Sequence, residues 1–143
     1  MVETIEEVMI KEHGVVEAFL REFEKAENSP SGALQLLSRF KWALEKHFLL
    51  EERAIFDVLN ELRGVEVSET FELLRDHQQI LELIKNIEEG YEDGMVVDMK
   101  RVRDMLEKHL EIEVVFFYPK LDKILDENTK KKIIEKAKEG LRG

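Results

Sequence analysis

At 143 residues and 16.9 kDa, the chain is long enough for one domain with a substantial buried core. A net charge of -10 sets it against nucleic acid and anionic membrane surfaces, which are gripped by Lys and Arg. With no cysteine, it has no disulfide, no thiolate metal site and no cysteine nucleophile.

The opening stretch, MVETIEEVMIKEH, is acidic where a secretory leader is basic, and no apolar run approaches ~18 residues. A cytoplasmic protein is therefore expected. The first helix starts near Thr4, whose hydroxyl can cap the turn while Glu7 reaches back to it. Its apolar face runs through Ile5, Met9, Val16, Leu20 and Phe23, and "ENSPSG" breaks it. Ser29 and Pro30 then form a cap and first-turn pair.

The second helix carries Leu37, Phe40, Leu44, His47, Glu51, Ile55 and Val58 at steps of three or four and stops near Gly64. The third begins at Ser68, turns Leu73, Leu74, Ile80, Leu81, Ile84 and Ile87 inward, and ends at Gly90, where "GYEDGM" reads as a loop. The fourth runs from Val97 through Val102, Leu106, Ile112 and Phe116 towards Leu121. Pro119 removes an amide donor and predicts a kink or an early stop there. A short basic helix over about 129–140 follows an Asn128–Thr129 cap, and its KKK run at 130–132 reads as a solvated helix start. Four long amphipathic helices joined by short loops predict an all-α, antiparallel up-down-up-down bundle over about 2–125, with a short C-terminal helix, in one domain spanning 1–143.

The chain holds four histidines, His13, His47, His77 and His109, one in each long helix and each within its apolar stripe. His47-x-x-x-Glu51 and His109-x-x-x-Glu113 place an imidazole and a carboxylate on one helix face, ~6 Å apart along the axis. A lone inward histidine is most often a satisfied core residue, and a single His-x-x-x-Glu is weak in so glutamate-rich a chain. Two inward glutamates beside four inward imidazoles are another matter, because buried carboxylates repel unless protons or cations lie between them. Nitrogen and oxygen donors with open positions suit a pair of iron ions; manganese or zinc fit less specifically. Ferritin-like di-iron bundles use Glu-x-x-His, so the reversed order and longer spacing point to a different di-metal bundle. Phe48, Phe56, Phe116, Phe117 and Trp42 read as core or surface packing rather than a cofactor box. No phosphate-cradling glycine loop or nucleophile triad is present.

As a set, H13, H47-F-L-L-E51, H77 and H109-L-E-I-E113, followed by "VVFFYPKL", resemble the hemerythrin family, in its HHE cation-binding branch. The resemblance covers about Val2 to Leu125. It implies a non-haem di-iron centre bridged by two carboxylates and an oxo or hydroxo group. By position, His13 and His47 would serve one iron, His77 and His109 the other, and Glu51 and Glu113 would bridge. The family's oxygen carriers have His-x-x-x-His on the third helix and His-x-x-x-x-Asp on the fourth. Here Leu73 and Leu81 flank His77 at four residues, and the last motif ends in Glu113 at one shorter spacing. The missing fifth histidine leaves each iron two imidazoles and more room for outside ligands.

The expected function is binding of dioxygen or a related small diatomic ligand, for sensing, storage or carriage and without catalysis, and Leu44, Leu73, Leu81, Leu106 and Ile112 are candidates to keep the pocket dry. The alternative is a di-iron protein of oxidative or nitrosative stress defence, iron–sulfur cluster repair or iron storage. Proteins of the repair group resemble the four-His, two-Glu pattern more closely but carry a cysteine-containing N-terminal segment, whereas this sequence has no cysteine.

Overall fold

The computed structural model describes residues 3–26, 28–62, 67–95 and 97–142, and within them the chain is helical with no strand. Helix α1 spans Ile5–Glu24. Helix α2 spans Pro30–Glu51 and continues through a π turn, Glu52–Phe56, into Asp57–Glu61. Helix α3 is Glu69–Glu92. Helix α4 spans Lys100–Ile112, a second π turn, Glu113–Phe117, and Tyr118–Ile124; α5 is Glu127–Arg142. No described helix is long and apolar enough to cross a membrane.

Pairs of residues show how the helices lie. Along α1 and α4, Ile5 meets Asp122, His13 meets Tyr118, and Glu24 meets Arg103. Along α2 and α3, Lys41 meets Glu88 while Glu51 meets His77. Along α3 and α4, Glu69 meets Lys120 while Asp76 meets His109. In each pair the number rises on one helix as it falls on the other, so the partners run in opposite directions.

The apolar residues fall into two clusters with a polar layer between them. Met9, Ile55, Leu73 and Phe117 belong to one cluster, and Val16, Leu44, Ile80 and Leu106 to the other. His13 sits between Met9 and Val16 on α1, His77 between Leu73 and Ile80 on α3, and the other two helices repeat the pattern. Burying this apolar surface, worth about 25 cal/mol per Å², drives the helices together. The polar layer works against that gain unless something neutralises it.

The helix ends show where local patterns mislead. Thr4 caps α1 as expected, accepting from the Glu7 amide at 3.0 Å. The Ile5 and Glu6 amides instead donate to the Asp122 carboxylate at 2.9 and 3.2 Å, a cap brought from the far end of α4. Asp122→Ala should cost about 1 kcal/mol, read as a lower urea midpoint with unchanged metal content. Neither Ser29 nor Ser68 makes a side-chain cap bond. Described α2 ends at Glu61; the expected stop at Gly64 and the Val2 boundary lie outside the described residues, as does Glu27 of the break.

Helix α3 does not end at Gly90 but runs to Glu92. Its stop is Gly94, whose φ of 77° suits only a residue without Cβ, with Gly94 N–H donating to Tyr91 O and Met95 N–H to Gly90 O. Gly90 is needed for another reason: a Cβ there would lie 2.4 Å from Val97 Cγ2, so a bare backbone lets the following loop pack down. Asp126, not Asn128–Thr129, caps α5, its Oδ1 accepting from the Thr129 amide at 2.7 Å. Within the KKK run, Lys130 donates to Asp122 O and Lys132 pairs with Glu61, tying α5 to the ends of α4 and α2.

The π turns correct the reading of α4. Their i to i+5 bonds run from Asp57 N–H to Glu52 O and from Tyr118 N–H to Glu113 O. Each turn holds an extra residue, so the inward position slips by one. Phe116, expected inside, is 60% exposed, and Phe117 is fully buried in its place. The turn directly precedes Pro119, where an amide donor is missing, and the helix continues to Ile124 instead of stopping.

Candidate metal centre

All six polar residues picked out in the sequence are buried in the layer between the two apolar clusters. His47, Glu51, His109 and Glu113 are fully shielded, and His13 and His77 nearly so. Their donor atoms fall into two groups, each within 4.8 Å: His13, His47 and Glu113, and Glu51, His77, His109 and Glu113.

The carboxylates lie between the imidazole pairs. Glu113 Oε1 is 3.0 Å from His13 Nε2 and 3.7 Å from His47 Nε2, while Oε2 is 3.4 Å from His109 Nε2. Glu51 does the same in mirror fashion, with Oε1 2.9 Å from His77 Nε2 and Oε2 3.7 Å from His47 Nε2. Four Nε2 atoms and four carboxylate oxygens thus surround one small volume.

The donors are poorly satisfied by one another. Both nitrogens of His47, Nε2 of His109 and both oxygens of Glu113 are buried without a well-directed hydrogen bond. A folded protein rarely leaves so many polar atoms unpaired in one place. The donor set therefore fits metal cations, which would take these lone pairs together.

Without metal, the electrostatics are those of a crowded acid–base cluster. Burial and the neighbouring Glu113 carboxylate push the Glu51 carboxyl above its ordinary range. Burial would raise Glu113 too, but the close approach of Glu51, His109, His13 and His47 outweighs it and holds the carboxyl well below that range. Burial opposes charge on His109, yet its hydrogen bond to Asp76 and the nearby Glu113 and Glu51 carboxylates carry its imidazole up to about 10. His47 is also raised, because Glu113 and Glu51 together outweigh the cost of its burial.

Three further residues complete the arrangement, and none was evident from periodicity. Tyr118 is fully buried and donates its hydroxyl proton to Glu51 Oε2 at 2.6 Å, and its phenol oxygen lies 3.2 Å from His13 Nε2. Burial and the two carboxylates keep the phenol protonated, its pKa well above the usual value. Glu52 Oε2 lies 3.0 Å from His77 Nδ1, and Asp76 Oδ2 lies 3.1 Å from His109 Nδ1. With Nδ1 donating outward, each ring would have its Nε2 lone pair free for a cation at the centre. Tyr118→Phe leaves Glu51 Oε2 without its donor; a roughly 10-fold weaker ferrous ion affinity is expected, with helix content unchanged in circular dichroism.

Aromatic packing fixes the plane of one imidazole. Phe48 stacks on the His77 ring at 3.9 Å between centroids, and Phe56 lies on it at 5.7 Å. Phe48, Phe56 and Phe117 are core, whereas Trp42 is 61% exposed. Of the apolar residues expected to wall the pocket, Leu44, Leu73 and Leu106 are buried, while Leu81 and Ile112 are only partly so. A groove of about 480 Å³ between α1 and α4 is lined by His13 with Leu20, Leu106 and Leu110, a volume that can hold a diatomic molecule or a hydrated cation.

Fold and donors together define a class: a helical bundle whose middle is a buried histidine–carboxylate centre for cations. The model of the Hemerythrin HHE cation binding domain matches residues 4–121, and the chain belongs to that family. Neither the curated proteins nor the solved structures yield a match to this chain.

Proposed function

We propose that the chain is a single cation-binding domain that holds two iron ions and binds dioxygen or a related diatomic ligand at them. In this reading His13 and His47 would hold one ion, His77 and His109 the other, and Glu51 and Glu113 would be shared between them. The observation that carries it is the division of each bridging carboxylate's oxygens between the two imidazole pairs. A set of imidazole and carboxylate donors favours iron over harder ions such as magnesium, with manganese and zinc the nearest competitors. Bound iron would supply a redox-active Lewis acid open to a small outside ligand.

The protein's own groups do the rest. Leu44, Leu73, Leu106, Phe48, Phe56 and Phe117 exclude water from the donors. Tyr118 holds a proton at its hydroxyl, directed at Glu51 and beside His13. Glu52 and Asp76 hold the protons of His77 and His109 at Nδ1 and so orient both rings. Leu73 and Leu81 stand four residues either side of His77, the spacing at which the family's oxygen carriers have a second histidine, and add no donor. Outside ligands therefore meet a centre with unfilled positions.

The test is optical. Iron-loaded, reduced protein exposed to oxygen and then returned to argon should develop and lose a visible absorption band over repeated cycles. A band that never forms, or forms once and does not reverse, removes reversible binding. Peroxide turnover faster than that of free iron would move the reading to oxidative stress defence.

A further inference from the structure

The two imidazole pairs are backed differently. Nδ1 of His77 faces Glu52 and Nδ1 of His109 faces Asp76, at 3.0 and 3.1 Å. Nδ1 of His47 is buried with no partner, and no described carboxylate pairs with His13 Nδ1. When an imidazole coordinates through Nε2, its Nδ1 must carry the proton. At His77 and His109 that proton has an acceptor, whereas at His47 coordination strands a buried donor. A carboxylate behind the ring also makes Nε2 more basic, and losing such a partner typically costs about 10- to 100-fold in metal affinity.

Access differs as well. Of the six donors only His13 lines the groove between α1 and α4. Glu17, Glu24, Glu107 and Glu111 line it too, against Arg21 in the lining and Arg103 paired with Glu24, so the groove is net negative and draws cations. On the His77–His109 side, Phe48 packs against both rings and Phe56 against His77.

We propose that the two metal positions fill in order: His77–His109 first and tightly, then His13–His47, weakly and exchangeably through the α1–α4 groove. This inference rests on the two-ion reading above. Where ferrous iron is scarce the chain holds one ion, and the second position reports how much iron is available.

Ferrous iron titrated into the metal-free chain under argon, followed calorimetrically, tests the order. Wild type should take up one ion tightly and a second more weakly, and a chelating wash should strip only the second. Asp76→Ala and Glu52→Ala should each weaken the first step by about 10- to 100-fold and leave the second unchanged. His13→Ala should remove the second step and keep the first. Both outer carboxylates are partly exposed, and if one alanine variant failed to fold the other would decide. Two ions bound in one indistinguishable step, a first step unmoved by the folded alanine variants, or a His13→Ala chain that loses the tight step overturns the order. A wild type that never takes up a second ion overturns the two-ion reading itself.

Discussion

Glu113→Gln is expected to empty the centre. Glu113 is the one residue shared by both donor groups, with Oε1 turned to His13 and His47 and Oε2 to His109. Glutamine keeps the shape but removes the charge and turns one oxygen into an NH₂ that cannot coordinate. Iron content should fall from two ions per chain to less than one. The metal-free fold should survive, because the surrounding imidazoles can shed their protons rather than remain as unpaired buried cations. The variant should therefore stay helical while its melting temperature ceases to respond to iron. A variant that retains both ions would remove Glu113 from the centre.

Removing the metal from the wild-type chain should produce the largest change in stability, and one that depends on pH. An ion that binds only the folded state stabilises it by about 4 kcal/mol per site when the free ion exceeds Kd ~1,000-fold. For a chain of this size that raises Tm by roughly 10 °C or more. Without metal, His109 is raised from 6.5 to about 10, so its contribution is complete below pH 6.5 and is lost as pH climbs through 6.5 towards 10. The upward shift of His47 acts over the same range, whereas that of Glu51 is complete below pH 4.5 and fades above it, offsetting the gain from Glu113. Glu113, held below its ordinary 4.5, contributes above that pH and loses its contribution as the solution becomes more acidic. Metal-free protein should thus be most stable between about pH 4.5 and 6.5 and weaken above it. Loaded protein should hold its stability into alkaline solution, since its imidazoles coordinate as neutral rings, and fail instead in acid as protons displace the metal. Thermal melts from pH 4 to pH 10, with and without iron, separate the two curves. Coincident curves would mean that no metal occupies the buried layer.

Much of this was legible in the chain because helical period and burial act on the same residues. His13, His47, Glu51, His77, His109 and Glu113 lie on apolar stripes, and a stripe that must face the core carries its polar members inward. What escaped was set by contacts distant in sequence or by departures from 3.6 residues per turn. Tyr118 stands five residues after Glu113, about 1.4 turns of an α-helix, which would aim it elsewhere. The π turn brings it round to Glu51. The same turn exchanges Phe116 for Phe117. Glu52 and Asp76 each adjoin a predicted donor in the chain, off its apolar stripe, yet each backs a histidine on another helix. Asp122, which caps α1 from the end of α4, was equally invisible to local pattern. Gly94 was overlooked because Gly90 stands first in the same loop; only the backbone angle separates a stop from a close approach.

Diffraction from iron-loaded crystals, recorded at the iron absorption edge, addresses the centre itself. Two anomalous peaks should lie inside the bundle, one beside Nε2 of His13 and His47, the other beside Nε2 of His77 and His109, with Glu113 between them. Iron bound only to surface carboxylates, or no peak among the six buried side chains, would contradict a metal-neutralised core.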